Sequence, residues 1–205
     1  MPSPPTAPLP GDPAPEVRAL RRALRQQGIA RREALPAEQH LRFSAMIGES
    51  LYRGFPQLAT MRIAFCWPFR HEPDLRPLIQ RWQQQSEDDF MALLPVVTAP
   101  ATALSFRRWQ VDTPMRRDSY GICTPDEGDF ITPEALLIPV NAFDAKGFRL
   151  GYGAGYFDRT LMALPPATLS IGIGFELARV ASTHPQTHDC PLDFIVTEAG
   201  IFPSA

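Results

Sequence analysis

Residues 136–143 of this 205-residue chain form a nearly unbroken apolar run, and Gly151, Gly153 and Gly155 follow it closely in alternation. That order constrains the fold more than any other feature. A strand apolar along its whole length is expected inside a largely parallel sheet covered on both faces, with Pro139 marking where its regular pairing ends. Alternating glycines permit positive φ and let backbone amides approach a ligand closely. A helix expected over residues 154–164 would set free N–H groups and a positive dipole end beside that loop, which suits phosphate. The spacing matches neither the Walker loop nor the dinucleotide-binding fingerprint. A tight glycine turn without a ligand is the alternative that the pattern leaves open.

The rest of the chain alternates in the same way. Helices are expected over residues 16–34, with Val17, Leu20, Leu24 and Ile29 apolar, and from Pro36 to about residue 52. A strand over 61–67 ends at Pro68, and a helix over 73–85 carries Leu75, Leu78, Ile79 and Trp82 at three-to-four spacing, with Pro77 delaying its regular start. Further strands are expected over 91–97, 104–109, 169–175 and 194–197. Strands alternating with helices predict an α/β fold, a three-layer αβα domain with a largely parallel or mixed central sheet. One such domain over 16–205 suits the length. Residues 1–15 hold seven prolines and no apolar core, so they are expected to be a disordered tail and not a signal peptide.

The net charge of −2 argues against nucleic acid as a partner, because duplex binders are normally strongly basic. The charge is uneven, however: eight Arg and three Glu stand from Arg18 to Arg53, a region able to meet an anion. No apolar run approaches the roughly 20 residues needed to cross a bilayer. Cys66, Cys123 and Cys190 have no paired spacing, which excludes a Cys-x-x-Cys metal or redox motif and suits a reducing cytoplasm. No leftover apolar stripe calls for a partner subunit, so a monomer is expected.

Asp158 falls in the first turn of the helix after the glycines, where the dipole favours a carboxylate. It is placed to bind Mg²⁺ bridging phosphate oxygens, or to serve as a simple helix-terminal carboxylate.

The run Leu137-Ile-Pro-Val-Asn-Ala-Phe-Asp-Ala-Lys-Gly-Phe-Arg-Leu-Gly-Tyr-Gly-Ala-Gly-Tyr-Phe-Asp-Arg159 closely resembles the signature of the 5-formyltetrahydrofolate cyclo-ligase family, also called methenyltetrahydrofolate synthetases. The resemblance extends more weakly from about Arg18 to Phe202. It implies an ATP site formed by Arg149, Leu150, Gly151, Tyr152, Gly153, Ala154, Gly155, Tyr156 and Phe157, together with Arg21 and Arg25. These two arginines match the family's basic pair, and four-residue spacing puts both on one helix face. Without the resemblance they would read as part of a solvated basic face with Arg18, Arg22, Arg31 and Arg32.

The resemblance further implies Mg²⁺ at Asp158 and Asp189, and a folate site at Glu72, Tyr120, Tyr152 and Tyr156. Asp193 is expected to hold the final strand. Three positions depart from the family pattern: Thr124 replaces a frequent Glu, Ala154 a Lys carried by some members, and Phe157 the second Tyr of the aromatic pair. His71 reads as an exposed loop residue. His188 beside Asp189 suggests a dyad, yet no Ser or Cys nucleophile accompanies it.

The implied activity is ATP- and Mg²⁺-dependent closure of 5-formyltetrahydrofolate to 5,10-methenyltetrahydrofolate. The alternatives are a non-catalytic folate- or nucleotide-binding homologue, which Thr124 and Phe157 would favour, and an unrelated small phosphotransferase using the same loop.

Overall fold

The computed structural model describes residues 14–85 and 89–204; the expected tail falls outside these residues apart from Ala14 and Pro15. Seven strands make one sheet: β1 (Arg62–Ala64), β2 (Met91–Val96), β3 (Ser105–Arg108), β6 (Ala135–Pro139), β9 (Leu169–Ile173), β10 (Phe194–Thr197) and β11 (Gly200–Pro203), in the order β11-β10-β9-β6-β1-β2-β3. The five central strands run parallel, and the edge strands β3 and β11 are antiparallel to their neighbours. Two hairpins stand apart from it, β4 (Met115–Arg117) with β5 (Cys123–Pro125) and β7 (Ala142–Phe143) with β8 (Arg149–Leu150).

The helices cover both faces. α2 (Ala37–Gly54) buries Ser44, Ile47, Gly48 and Leu51, the i, i+3, i+4, i+7 stripe of an amphipathic helix. α3 (Arg76–Gln85) buries Leu78, Ile79 and Trp82. Both pack on the sheet face carrying Ile63, Ala92, Leu94, Leu137 and Ile171. The alternate residues Ala64, Leu93, Leu136, Ile138 and Ile195 face the other way, against Phe157, Leu161 and Leu164 on and beside α4 (Tyr156–Ala163). The expected layers are therefore present.

Three local expectations need correction. The apolar run over 136–143 is two strands: β6 stops at Pro139, which has no N–H to extend a ladder. The Asn141 N–H then goes to Leu150 O, opening the β7–β8 hairpin. The helix expected from 73 starts at Arg76, whose N–H goes to Asp74 Oδ1 at 3.0 Å. The helix expected from 154 starts at Tyr156, because Gly153 (φ 102°) and Gly155 (φ 69°) hold left-handed backbone that a right-handed helix cannot include. Strand β11 and the β4–β5 hairpin were not anticipated. Pro95 is tolerated within β2 because β1 pairs with that strand only as far as Leu93.

α1 (Pro15–Glu33) begins on a proline, with Glu16 in its first turn and Arg31 and Arg32 in its last, as the helix dipole favours. It lies against the β7–β8 hairpin and the 3-10 turn Glu176–Ala178. The contact is close: a Cβ on Gly28 would sit 1.7 Å from Asn141 O.

Chain order fixes where a ligand can bind. From β1 the chain moves to β2 on one side, whereas β6, β9 and β10 build outward on the other. The strand order therefore reverses between β1 and β6, and the crevice beyond the carboxyl ends of such strands is the usual binding place of an open α/β sheet.

Candidate active site

A cleft of about 630 Å³ opens at that point, within the range of small-molecule sites. Its floor is Cys66 and Trp67 after β1, Pro95 and Val97 at the end of β2, and Pro139 at the end of β6. Every site residue expected from the sequence borders it: Arg21, Arg25, Glu72, Tyr120, the whole of 149–157, Asp158 and Asp189.

One wall is cationic. The Arg25 guanidinium carbon lies 3.4 Å from where a Gly153 Cβ would stand, so the arginine packs directly on the glycine loop. Arg25 Nε is buried without a hydrogen-bond partner among the described residues. Burial, with the charges of Arg21 and Arg22, pulls the Arg25 pKa down, while Asp189 opposes the shift. A cation in this position gains from an anion entering the cleft. Arg21, one turn away, instead clamps Asp189 with Nη1 on Oδ2 at 2.5 Å and Nη2 on Oδ1 at 3.0 Å. Burial works to raise the Asp189 pKa, but the Arg21 and Gln186 N–H donors and the Arg21 charge outweigh it and hold the carboxyl below its usual range.

Arg149, buried on β8, donates to Asp158 Oδ1 at 3.1 Å and to Cys190 O at 2.7 Å. Asp158 Oδ1 also accepts the Cys190 N–H at 3.2 Å. Both contacts use the same oxygen, which leaves Oδ2 able to meet a hard cation together with phosphates and water. Asp189 spends both oxygens on Arg21, so of the two expected metal carboxylates Asp158 is the better suited. Among the described residues no group of three or more His, Cys, Asp or Glu is arranged to hold a metal by itself. The donor set therefore fits a cation that brings most of its oxygens with it.

Another part of the lining is built around Glu72, 3% exposed. Arg70 (φ 49°) and His71 (φ 56°) precede it in left-handed backbone, a strained turn of the kind found at ligand sites. Glu72 Oε2 accepts the Phe69 N–H at 3.1 Å, and Oε1 accepts the Tyr152 hydroxyl at 2.9 Å. Burial raises the Glu72 pKa, opposed by the Arg32 charge and those two donors. At the mouth, the Tyr120 and Tyr156 hydroxyls are 3.1 Å apart with their rings edge to face. Asp118 Oδ1 shapes the β4–β5 turn by accepting the Tyr120 and Ile122 N–H groups.

Of the three departures from the family pattern, Thr124 and Phe157 have local contacts, and nothing in the structure explains Ala154 in place of Lys. Thr124 donates to Pro95 O at 2.7 Å, tying the β4–β5 hairpin to β2. Phe157 packs on the apolar core while bordering the cleft. Ala154 O accepts a hydrogen bond from Arg159, whose Nε also reaches Thr102 O. Asp193 accepts the Ser170 N–H and hydroxyl, each at 2.7 Å, and so holds β9 to the start of β10 as expected. His188 Nε2 lies 3.8 Å from Asp189 Oδ1 and is mostly exposed, which is a loose contact and not a dyad.

Sequence reasoning missed Arg32, treated above as one of several solvated arginines. It is 3% exposed and donates to Arg70 O and Asn141 Oδ1 (both 2.8 Å) and to Tyr152 Oη (3.0 Å). The signal was present: Arg21, Arg25, Gly28, Ile29 and Arg32 share three-to-four spacing and one helix face. An arginine on such a stripe was read by its residue type and not by its position.

The sequence model of the 5-formyltetrahydrofolate cyclo-ligase family matches residues 17–198. The 5-formyltetrahydrofolate cyclo-ligase of Haemophilus influenzae is 30% identical over 142 residues, covering 66% of this chain and 75% of that protein. The Escherichia coli K12 protein of the same name is 25% identical over 184 residues, covering 84% and 97%. The NMR structure of Aquifex aeolicus 5,10-methenyltetrahydrofolate synthetase superposes with a TM-score of 0.76 at 27% identity, covering 90% of this chain and 92% of that one. A Mycoplasma pneumoniae 5,10-methenyltetrahydrofolate synthetase shares the fold, with a TM-score of 0.70 at 21% identity and coverage of 87% and 98%.

Proposed function

This chain belongs to the 5-formyltetrahydrofolate cyclo-ligase family, and we propose that it uses ATP to close 5-formyltetrahydrofolate to 5,10-methenyltetrahydrofolate. The observation that carries this reading is that one cleft is lined by groups of two opposite chemical kinds. Arg25, whose buried Nε has no partner among the described residues, lies against Gly153, and buried Glu72 lines the same cleft. The first suits phosphate and the second suits the N–H donors of a pterin ring.

A formamide oxygen is a poor leaving group. Transfer of the γ-phosphoryl group to it breaks the terminal P–O–P linkage, releases ADP and leaves an iminium phosphate on N5. The lone pair of N10 then attacks that carbon. Phosphate departs with the former formyl oxygen, and the N10 proton is lost to give the methenyl product. The nucleophile belongs to the substrate, so the protein's part is positioning and charge neutralisation.

The 149–157 loop offers backbone N–H groups near phosphate oxygens, and Arg25 offers a guanidinium with Arg21 one turn behind it. Asp158 is the residue to hold Mg²⁺. When bound, that ion would neutralise charge on the β- and γ-phosphates. Glu72 and Tyr152 hold the pterin, and Tyr120 with Tyr156 present aromatic faces at the mouth. On this reading the protein acts as a monomer in the cytoplasm on small molecules; no helix among the described residues is long and apolar enough to cross a membrane.

The test is to mix protein, ATP, Mg²⁺ and 5-formyltetrahydrofolate and follow absorbance of the methenyl product. ATP-dependent product supports the reading. Tight folate binding without turnover would instead identify a non-catalytic homologue, and ATP consumption with other substrates alone would identify a different phosphotransferase.

A further inference from the structure

Burying a guanidinium is costly unless charge and hydrogen bonding compensate it. Arg32 on α1 meets that requirement in an unusual way. Its three hydrogen bonds go to a carbonyl, an amide oxygen and a phenol, and its carboxylate neighbour is Glu72, with Nη2 3.9 Å from Oε1. The phenol of Tyr152 lies between them, 3.0 Å from Arg32 Nη2 and 2.9 Å from Glu72 Oε1. An arginine nitrogen has only protons to give. The Tyr152 oxygen must therefore accept from Arg32, and its single proton is turned toward Glu72.

We propose that Arg32 is a positioning residue for the folate end of the cleft, keeping Glu72 an ionised acceptor and fixing the direction of the Tyr152 hydroxyl. This rests on the reading of the Glu72 wall as the pterin site. It gives α1 two duties: Arg21 and Arg25 serve the phosphate part of the cleft, and Arg32 in its last turn governs the charge at Glu72.

The groups facing Glu72 are few. Arg32 comes from α1, Tyr152 from the glycine loop and the Phe69 amide from its own turn. The Cys66 thiol follows β1, and His40 of α2, whose ring lies 5.1 Å from that of exposed His71, meets the Glu72 carbonyl at 3.0 Å. Of these, Arg32 brings the cation that opposes burial of the carboxylate. Without it, burial favours the protonated acid, which cannot accept two pterin N–H groups.

The test measures 5-formyltetrahydrofolate affinity by tryptophan fluorescence from pH 5.5 to 8.5, with Trp67 bordering the cleft. Wild type is compared with Arg32→Met, Arg32→Gln, Arg32→Lys and Glu72→Gln, and ATP affinity is measured in parallel. In wild type, folate affinity falls as pH drops through the Glu72 pKa. In Arg32→Met and Arg32→Gln that midpoint moves up by about one pH unit, which weakens folate binding by up to about tenfold on its acid side, with ATP affinity within about twofold. Arg32→Lys, which restores the charge, returns the midpoint toward wild type, and Glu72→Gln flattens the profile. If Arg32→Met fails to fold, Arg32→Gln and Arg32→Lys carry the comparison. A midpoint that stays put in the folded neutral variants, or equal losses for folate and ATP, overturns the positioning role while leaving the folate reading intact. A wild-type protein that binds no 5-formyltetrahydrofolate overturns that reading and this inference with it.

Discussion

Arg21 and Asp189 stand 168 residues apart in the chain and meet in a two-pronged ion pair, Nη1 to Oδ2 at 2.5 Å and Nη2 to Oδ1 at 3.0 Å. The pair fastens α1 to the segment leading into β10 and borders the cleft. It also separates the roles of the two arginines on that helix face. Arg21 is committed to a carboxylate, whereas Arg25 one turn later is left facing the glycine loop.

Asp189→Asn keeps the shape and removes the charge. The side chains of the pair are 13% and 7% exposed, between a surface pair worth under ~1 kcal/mol and a fully buried one worth about 3–5 kcal/mol to break, so a loss of about 2 kcal/mol is expected. The pH dependence follows from the lowered Asp189 pKa. Its stabilisation is present above the unfolded carboxyl value of about 3.9 and is lost as pH falls through the lower folded value. Urea unfolding between about pH 2 and pH 7 should show a smaller acid-side drop in the variant; parallel curves would show that the pair carries no such linkage.

Asp158→Ala should give a folded protein with greatly reduced ATP-dependent methenyl formation, since it removes the carboxylate with an uncommitted oxygen beside the loop. Turnover at the wild-type rate would remove Asp158 from the mechanism. Titrating Mg²⁺ in the two proteins separates metal binding from loss of the Arg149 contact. A metal role predicts a weaker Mg²⁺ response in the variant, and a purely structural role predicts an unchanged one.

Replacing Arg21 and Arg25 by Gln should raise the Michaelis constant for ATP more than that for the folate. Arg25→Gln alone should cost little stability in the absence of ligand, because its buried Nε has no hydrogen-bond partner among the described residues to lose. The upward shift of melting temperature that ATP gives the wild type should shrink in this variant. Equal rises in both Michaelis constants would assign the helix a general structural part.

Gly28→Ala sets helix propensity against packing. Alanine favours an exposed helix interior by about 1 kcal/mol over glycine. Here the added Cβ would lie 1.7 Å from Asn141 O, a backbone atom held by the β7–β8 hairpin. Packing should win, with a net loss of about 1–3 kcal/mol and weaker folate binding as Arg32 is drawn from Asn141 and Tyr152. A stabilised variant in denaturant unfolding would contradict the close approach of α1.

The outline of the site was readable because its parts sit close together in sequence. The apolar run, the alternating glycines and Asp158 are contiguous, and each has local chemistry that narrows its use. The split of the run at Pro139 was foreshadowed by the missing N–H. The hairpin beginning at Ala142 was not, because its partner, Arg149–Leu150, looked like the entrance to a loop. Strand β11 lay beyond the periodic pattern, and the β4–β5 hairpin was hidden in a segment read only for its tyrosine. Thr124, a departure when compared by residue type, makes sense once Pro95 O stands beside it.

By itself the sequence determined the layered α/β fold, the family and the glycine loop that lines the cleft, since hydrophobic period, glycine freedom and helix-end electrostatics act over short stretches. Only the tertiary structure decided which charges are partnered. Asp189 was expected beside a metal and is clamped by Arg21; Arg32 was expected in water and lies against Glu72 and Tyr152. A side chain's charge is a property of its type. Its burial and its partner depend on what the fold brings to it from dozens of residues away, and those two quantities set the electrostatics of both walls of the cleft.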